Sequence, residues 1–147
     1  VSPLDELAGR VAEHFSRVHR EVFLGDEVSN PKLWVEVVSP AMAGDTAAMI
    51  LIAPWTLNGL VFPPDESFPT TLTVGAKEYP VFTAEVEGLG TVRSLNLASD
   101  VSTMPSQDAA RGIAAALAGP FLEAVALARE TGRVSDPSRR RLLGLGE

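Results

Sequence analysis

The stretch Ala47–Phe62, AAMILIAPWTLNGLVF, contains no charged residue, and its reading decides the fold. Ala47 to Ala53 is an apolar run of strand length that stops at Pro54, where the chain loses an amide donor; Gly59 to Phe62 resumes as a short second run before Pro63-Pro64. The sequence predicts strand, turn and strand around Trp55, buried on at least one face. Trp55, with its large area and single N–H donor, suits either a core position or a partner-facing anchor. Asn58 can fix the turn through its side chain, and Pro54 restricts the approach to it.

Working outward, Leu33, Val35 and Val37 alternate with Trp34, Glu36 and Val38, predicting a strand over Leu33–Val38 that Pro40 ends, with a turn at Gly44-Asp45. Further strands are predicted over Thr70–Val74 and Tyr79–Glu87, separated by Gly75-Ala76-Lys77-Glu78. In the second, Phe82, Ala84 and Val86 alternate with Thr83, Glu85 and Glu87, as in an antiparallel sheet with one wet face. Gly88 and Gly90 bracket a turn, and Thr91–Leu97 places Val92, Ser94 and Asn96 opposite Arg93, Leu95 and Leu97.

Helices flank this sheet. Leu4 to Phe23 repeats Leu4, Leu7, Val11, Phe15, Val18 and Val22 at helical spacing, with Ser2 as its cap and Pro3 in its first turn. Ser106 to Arg129 carries Ile113, Leu117, Phe121, Val125 and Ala128, with Asp108 favouring its start. Gly119-Pro120 is expected to kink or split it, and Gly132 to stop it. The expected fold is α+β: a mainly antiparallel sheet packed against N-terminal and C-terminal helices, in one domain over residues 1–133, with a basic, flexible tail over 134–147.

Composition narrows the function. A chain of 147 residues, 46% apolar and 21% charged, can bury a core without staples. With no cysteine it forms no disulfide, thiolate cluster or thiol nucleophile. The net charge of −7 disfavours nucleic acid and anionic membrane. No run approaches the roughly twenty apolar residues that span a bilayer, and no signal-like segment opens the chain, so cytoplasmic residence without membrane insertion is expected.

Catalytic signals are weak. His14 and His19 are five apart, off the same-face spacing, and read as surface histidines rather than metal ligands. Asp45, Asp65, Glu66, Glu78, Glu85, Glu87 and Asp100 face only Lys77 and Arg93 between Pro40 and Asp100, which reads as a negative surface that solubilises the chain or steers a basic partner. Ser94, Ser99, Ser102 and Ser106 lack an evident histidine partner, and no phosphate- or dinucleotide-binding pattern occurs. The densest cationic cluster, Arg139, Arg140 and Arg141, precedes Leu142-Leu143 in a run like a twin-arginine export pattern; lying at the far end with no apolar segment after it, it is not expected to direct export.

Asn30-Pro31, Leu33, Val35-Glu36, Ile52-Ala-Pro-Trp-Thr-Leu-Asn58 and Phe62-Pro63, followed by Tyr79-Pro-Val-Phe82, Leu89-Gly90, Ser94-Leu95, Ala109-Ala110 and Ser138-Arg139-Arg140, make residues 10–143 resemble the HybE/HupJ family of nickel-iron hydrogenase assembly chaperones. The resemblance implies a non-enzymatic protein, without cofactor, that binds the precursor of a hydrogenase large subunit before export. Its complex with the small-subunit precursor, or that subunit's twin-arginine signal, is a further partner under the same resemblance. Some relatives carry a rubredoxin domain, for which this chain has no Cys-x-x-Cys pair. Leu57 stands where methionine is commoner, and Leu95–Asp100 where Leu-Phe-Ser-Pro-Met is usual. Pro54, Trp55, Leu57, Asn58 and Phe62 are the expected client contacts, with Trp34 reinforcing the patch and Arg139, Arg140 and Arg141 as tail contacts. The alternative is a module that binds a small molecule or peptide in an apolar pocket between sheet and helices.

Overall fold

The apolar run over Thr46–Ala53 is buried at every position because this strand, β2, lies inside a sheet covered on both faces. In the computed structural model, which describes residues 2–23, 29–63, 68–98 and 100–135, five strands form the main sheet: β1 (Glu36–Ala43), β2, β3 (Thr56–Phe62), β6 (Phe82–Val86) and β7 (Gly90–Ala98), in the order β1-β2-β3-β7-β6 with every neighbour antiparallel. A separate hairpin pairs β4 (Thr71–Val74) with β5 (Lys77–Pro80). Helix α1 (Pro3–Val18) lies over β1 and β2; helix α2 (Gln107–Ser135) lies over β1, β2, β3 and β4 on the other face. The chain is thus α+β, an antiparallel sheet between N- and C-terminal helices.

Strand periodicity sorts the core into two layers. Ala48, Ile50 and Ile52 pack with Leu57, Leu95, Phe121 and Val125 beneath α2, while Met49, Leu51 and Ala53 pack with Val11, Leu60 and Val92 beneath α1. Local capping agrees with the sequence: the Asp5 amide donates to Ser2 Oγ (3.1 Å), and the Ala109 amide to Ser106 Oγ (3.1 Å). Gly44 and Gly75, both at φ +63°, open two-residue turns of the kind that joins antiparallel strands.

Several elements depart from expectation. Pro40 does not end the first strand: β1 runs through it, with a register slip between Val38 and Ala41 and Ser39 at φ +53°. An outer strand tolerates such a bulge because proline's missing amide faces no neighbour. The predicted Tyr79–Glu87 strand is two, divided at Val81, and β6 is exposed on both faces over Phe82–Glu85. The first helix converts to a π turn over His19–Phe23, which shifts the phase of its stripe and leaves Val22 65% exposed. Gly119-Pro120 does not split α2, which continues past Gly132 to Ser135; Pro120 and Ala116 are both exposed, so water can satisfy the carbonyl that proline leaves without a donor. Ala110 and Ala114, rather than the exposed Ile113, carry the start of the buried stripe. Over Gln107–Glu130 this helix is long and apolar enough to cross a membrane by length and composition, contrary to the expectation that no run is; here one side of it packs on the sheet.

Sheet and helix meet most closely where the Phe121 ring lies on Gly59. A Cβ at Gly59 would sit 2.7 Å from two ring carbons. Gly59→Ala is therefore expected to destabilise the fold by about 1–3 kcal/mol through overpacking, measured by urea unfolding. Gly112→Ala, whose Cβ meets nothing within 4 Å, serves as a control and should gain up to about 1 kcal/mol from helix propensity.

Candidate functional site

The run that opened the sequence folds into a hairpin whose tip is Pro54-Trp55, since Ala53 pairs with Thr56. Pro54 is buried, and its carbonyl accepts the Asn30 amide at 2.7 Å. The Asn30 side chain donates from Nδ2 to the carbonyls of Val101 and Met104, both at 2.9 Å, and accepts the Lys32 amide at 2.9 Å. Its own carbonyl takes the Leu33 amide at 3.1 Å. Asn30 thus ties the segment preceding β1 to the hairpin tip through its backbone amide and to the loop preceding α2 through its buried carboxamide. Trp55 is half-buried against the α1-side core, with the His19 ring stacked at 5.9 Å and 30°.

Beside this tip, half of one sheet face is bare. Antiparallel register puts Asn58 level with Asn96, Leu60 and Phe82 level with Ser94, and Ala84 level with Val92, all on the α1 side. Helix α1 lies over β1 and β2, its Val11 shares a buried core with Leu60 and Val92, and its Arg10 donates to the Gly88 carbonyl at 3.4 Å. Among the described residues nothing lies over the outer part of this face, where Asn96, Ala84 and Phe82 are exposed and Asn58 and Ser94 half-buried. Thr56 Oγ1 lies 2.8 Å from Asn58 Oδ1 and 2.9 Å from Asn96 Oδ1; with one proton, the hydroxyl donates to one of them at a time. At the far rim, Arg10, His14 and Arg17 of α1 face Glu87 and Leu89 across a hollow of about 170 Å³.

The residues singled out from sequence divide between this surface and its supports. Trp55 and Asn58 border the bare face, and Phe62 packs half-buried on the same side. Pro54 and Leu57 are buried; Leu57 points into the α2-side core, so both act from beneath the surface. Trp34 does not join the Trp55 patch. It is 52% exposed on the α2 side, where the Arg111 guanidinium sits 5.5 Å over its ring. Arg139, Arg140 and Arg141 lie outside the described residues.

Two supports were not singled out. Besides Asn30, the buried Gln107 accepts the Trp34 amide at 3.0 Å and donates to the Trp34 carbonyl at 3.2 Å, so a side chain supplies what a strand would. It also donates to Glu36 Oε1 at 3.0 Å, which Arg111 bridges at 2.9 Å. Burial pushes the Glu36 carboxyl up, but the hydrogen bonds from Gln107 and Arg111, and the charge of Arg111, together hold it below its ordinary range. Only a buried Asn before proline and a Gln at a helix start were visible as signals.

Other arrangements carry less chemistry. Ser102 donates to Asp100 through its hydroxyl (2.5 Å) and its amide (3.0 Å), closing a local turn in which neither histidine takes part. Among the described residues, no group of three or more His, Asp or Glu is placed to hold a metal. An apolar groove of about 240 Å³ runs between Pro40, Ile50 and Phe121, with Ser39 its one hydroxyl, and it gathers no converging polar groups.

Fold and surface together define an α+β protein whose distinctive feature is a partly open sheet face beside an anchored aromatic hairpin. The chain belongs to the [NiFe]-hydrogenase assembly chaperone family HybE, whose model matches residues 6–145. It is similar to the hydrogenase expression/formation protein HoxT of Azotobacter vinelandii, at 34% identity over 143 residues, covering 92% of this chain and 90% of that protein. No solved structure matches the chain.

Asn30→Asp tests the anchor. A carboxylate facing two carbonyls loses both donors and should cost about 3 kcal/mol or more at neutral pH, measured by urea unfolding. Because burial raises the folded-state pKa of the new acid, the variant should lose stability as pH rises through the ordinary Asp range and recover part of it below.

Proposed function

We propose that this protein binds the immature large subunit of a nickel-iron hydrogenase, alone or with the small-subunit precursor, shielding it in the cytoplasm during maturation and quality control before export. It acts by transient binding and catalyses no reaction. The observation that carries this reading is the bare half-face beside Trp55, in a chain that belongs to a family of hydrogenase assembly chaperones. Trp55 offers an aromatic anchor already held by His19 and by the Asn30–Pro54 bond, so little side-chain freedom remains to be lost when a client covers it. Asn58 and Asn96 supply amide groups next to that anchor. The acidic surface favours basic segments of the client, a twin-arginine signal among them. Arg139, Arg140 and Arg141, outside the described residues, add contacts to acidic parts of the client.

Trp55→Ala is expected to weaken binding of the immature large subunit roughly thirtyfold or more, about 2 kcal/mol, in a pull-down titration with purified precursor. Trp34→Ala, on the other layer, should bind within about twofold of wild type, and circular dichroism and thermal melts report whether each variant is folded. Equal losses from both variants, or equal recovery of immature and mature large subunit by the wild type, would overturn the assignment.

A further inference from the structure

The two outer strands of the sheet are built differently. β1 carries the bulge at Ser39-Pro40, with its register slip, a residue at positive φ and a missing amide, all of which spoil pairing with another strand. β6 has none of these. Its register runs unbroken from Phe82 opposite Ser94 to Val86 opposite Gly90, and the run Phe-Thr-Ala-Glu-Val holds no proline, glycine or lysine. Among the described residues, β6 main-chain groups bond to β7 and, at the Val86 carbonyl, to the Leu89 turn amide (2.9 Å). Among the described residues its outward groups meet no strand, and such an edge is a template for one.

We infer that β6 is a docking edge whose occupant is an extended segment of the client, added as a sixth strand, apolar beside Phe82, Ala84 and Val86 and carrying Lys or Arg beside Glu85. The inference rests on the client-binding reading above and names how that client is held. Alternation along β6 sets the pattern. Phe82, 57% exposed, and Ala84 point to the side that α1 leaves bare, where an apolar partner residue covers them. On the opposite side, Thr83 already accepts from Arg93 at 2.5 Å. Glu85 accepts only from the Thr91 hydroxyl and enters no ion pair among the described residues, so the partner's cation belongs there. Glu87, in the following turn, shares its hollow with Arg10 and Arg17, and is not the residue that selects a cation.

A second copy of this chain is the poorer occupant. It would bring together two molecules of net charge −7 along a strand of 5 residues, far short of the roughly 800 Å² per partner of a stable interface. A client strand also prolongs the bare face that ends at Asn58 and Trp55, so edge and hairpin serve one partner.

Hydrogen–deuterium exchange of the full chain tests this with three synthetic seven-residue peptides: alternating valine and lysine, alternating valine and glutamate, and the first one N-methylated at every backbone amide. The valine-lysine peptide should slow exchange of the outward β6 amides at least tenfold, the other two should not, and Glu85→Lys, shown folded by circular dichroism, should reverse the charge preference. Equal protection by the first two peptides, or binding without protection of β6, overturns the inference; so does β6 protection that grows with protein concentration in the absence of peptide. With the immature large subunit as probe, protection of both β6 and the Trp55 hairpin supports it. Protection of the hairpin alone removes the edge and leaves the chaperone reading standing, whereas a peptide that docks beside a precursor that does not bind removes the chaperone reading instead.

Discussion

The Asn30 carboxamide is the interaction on which the surface depends. Through its side chain and backbone it joins three segments that share no helix or strand: the residues before β1, the Pro54-Trp55 tip, and the loop before α2. Each bond is of ordinary length, but Asn30 is buried, and losing any of them strands a polar group away from water. Proline at 54 and 31 limits how these segments relax, so the tip is held from the backbone side. Trp55 is thereby oriented by the fold, and its stack on His19 is a consequence rather than the cause.

The second constraint is the unequal length of the helices. α2, with 29 residues, packs on β1, β2 and β3 and shares its face with the β4–β5 hairpin, which brings Leu72, Val74 and Tyr79 into the same core. α1 has 16 residues before the π turn and lies over β1 and β2. The larger core holds the fold together; the smaller takes in Val92 of β7 but leaves Asn96, Phe82 and Ala84 exposed. At the join, Arg129 of α2 reaches Asp45 in the β1–β2 turn (3.7 Å), fixing the end of the helix that the Gln107–Trp34 pair fixes at its start.

Local pattern made the hairpin legible: an uncharged run of strand length, interrupted by one proline, has few other solutions. The helices were legible for the same reason, down to the Ser2 cap. What failed was local reading of residues whose meaning is topological. Pro40 reads as a strand end until β1 is known to be an outer strand. The alternation of Phe82, Ala84 and Val86 promised a buried face, yet only Val86 joins the α1-side core while Phe82 and Ala84 stay exposed. Trp34 and Trp55 look like one aromatic patch because both flank strands, and only their packing, against Arg111 of α2 and against the α1-side core, assigns them to opposite layers. Asn30, legible only as part of the family resemblance, and Gln107 did not read as supports because, outside the local turn, their side chains bond residues 71 or more positions away.

A chaperone has to hold its client and then release it, and the chemistry of the bare face suits both demands. The Thr56 hydroxyl donates to Asn58 or Asn96 in turn, so the carboxamides keep hydrogen-bonding capacity that a client's polar groups can take up. The apolar area on offer is modest: one aromatic side chain at each end, Phe82 and Trp55, with alanine and amide groups between. Such a surface gives affinity through two anchors and a polar middle, not through a continuous greasy patch that would also recruit itself. Net negative charge adds repulsion between copies while leaving basic client segments attracted, and it acts at a distance before any contact forms. Under the proposed edge docking, selectivity for an immature client follows from access: an extended segment is available to an open edge only while the client has not yet packed that segment into its own fold.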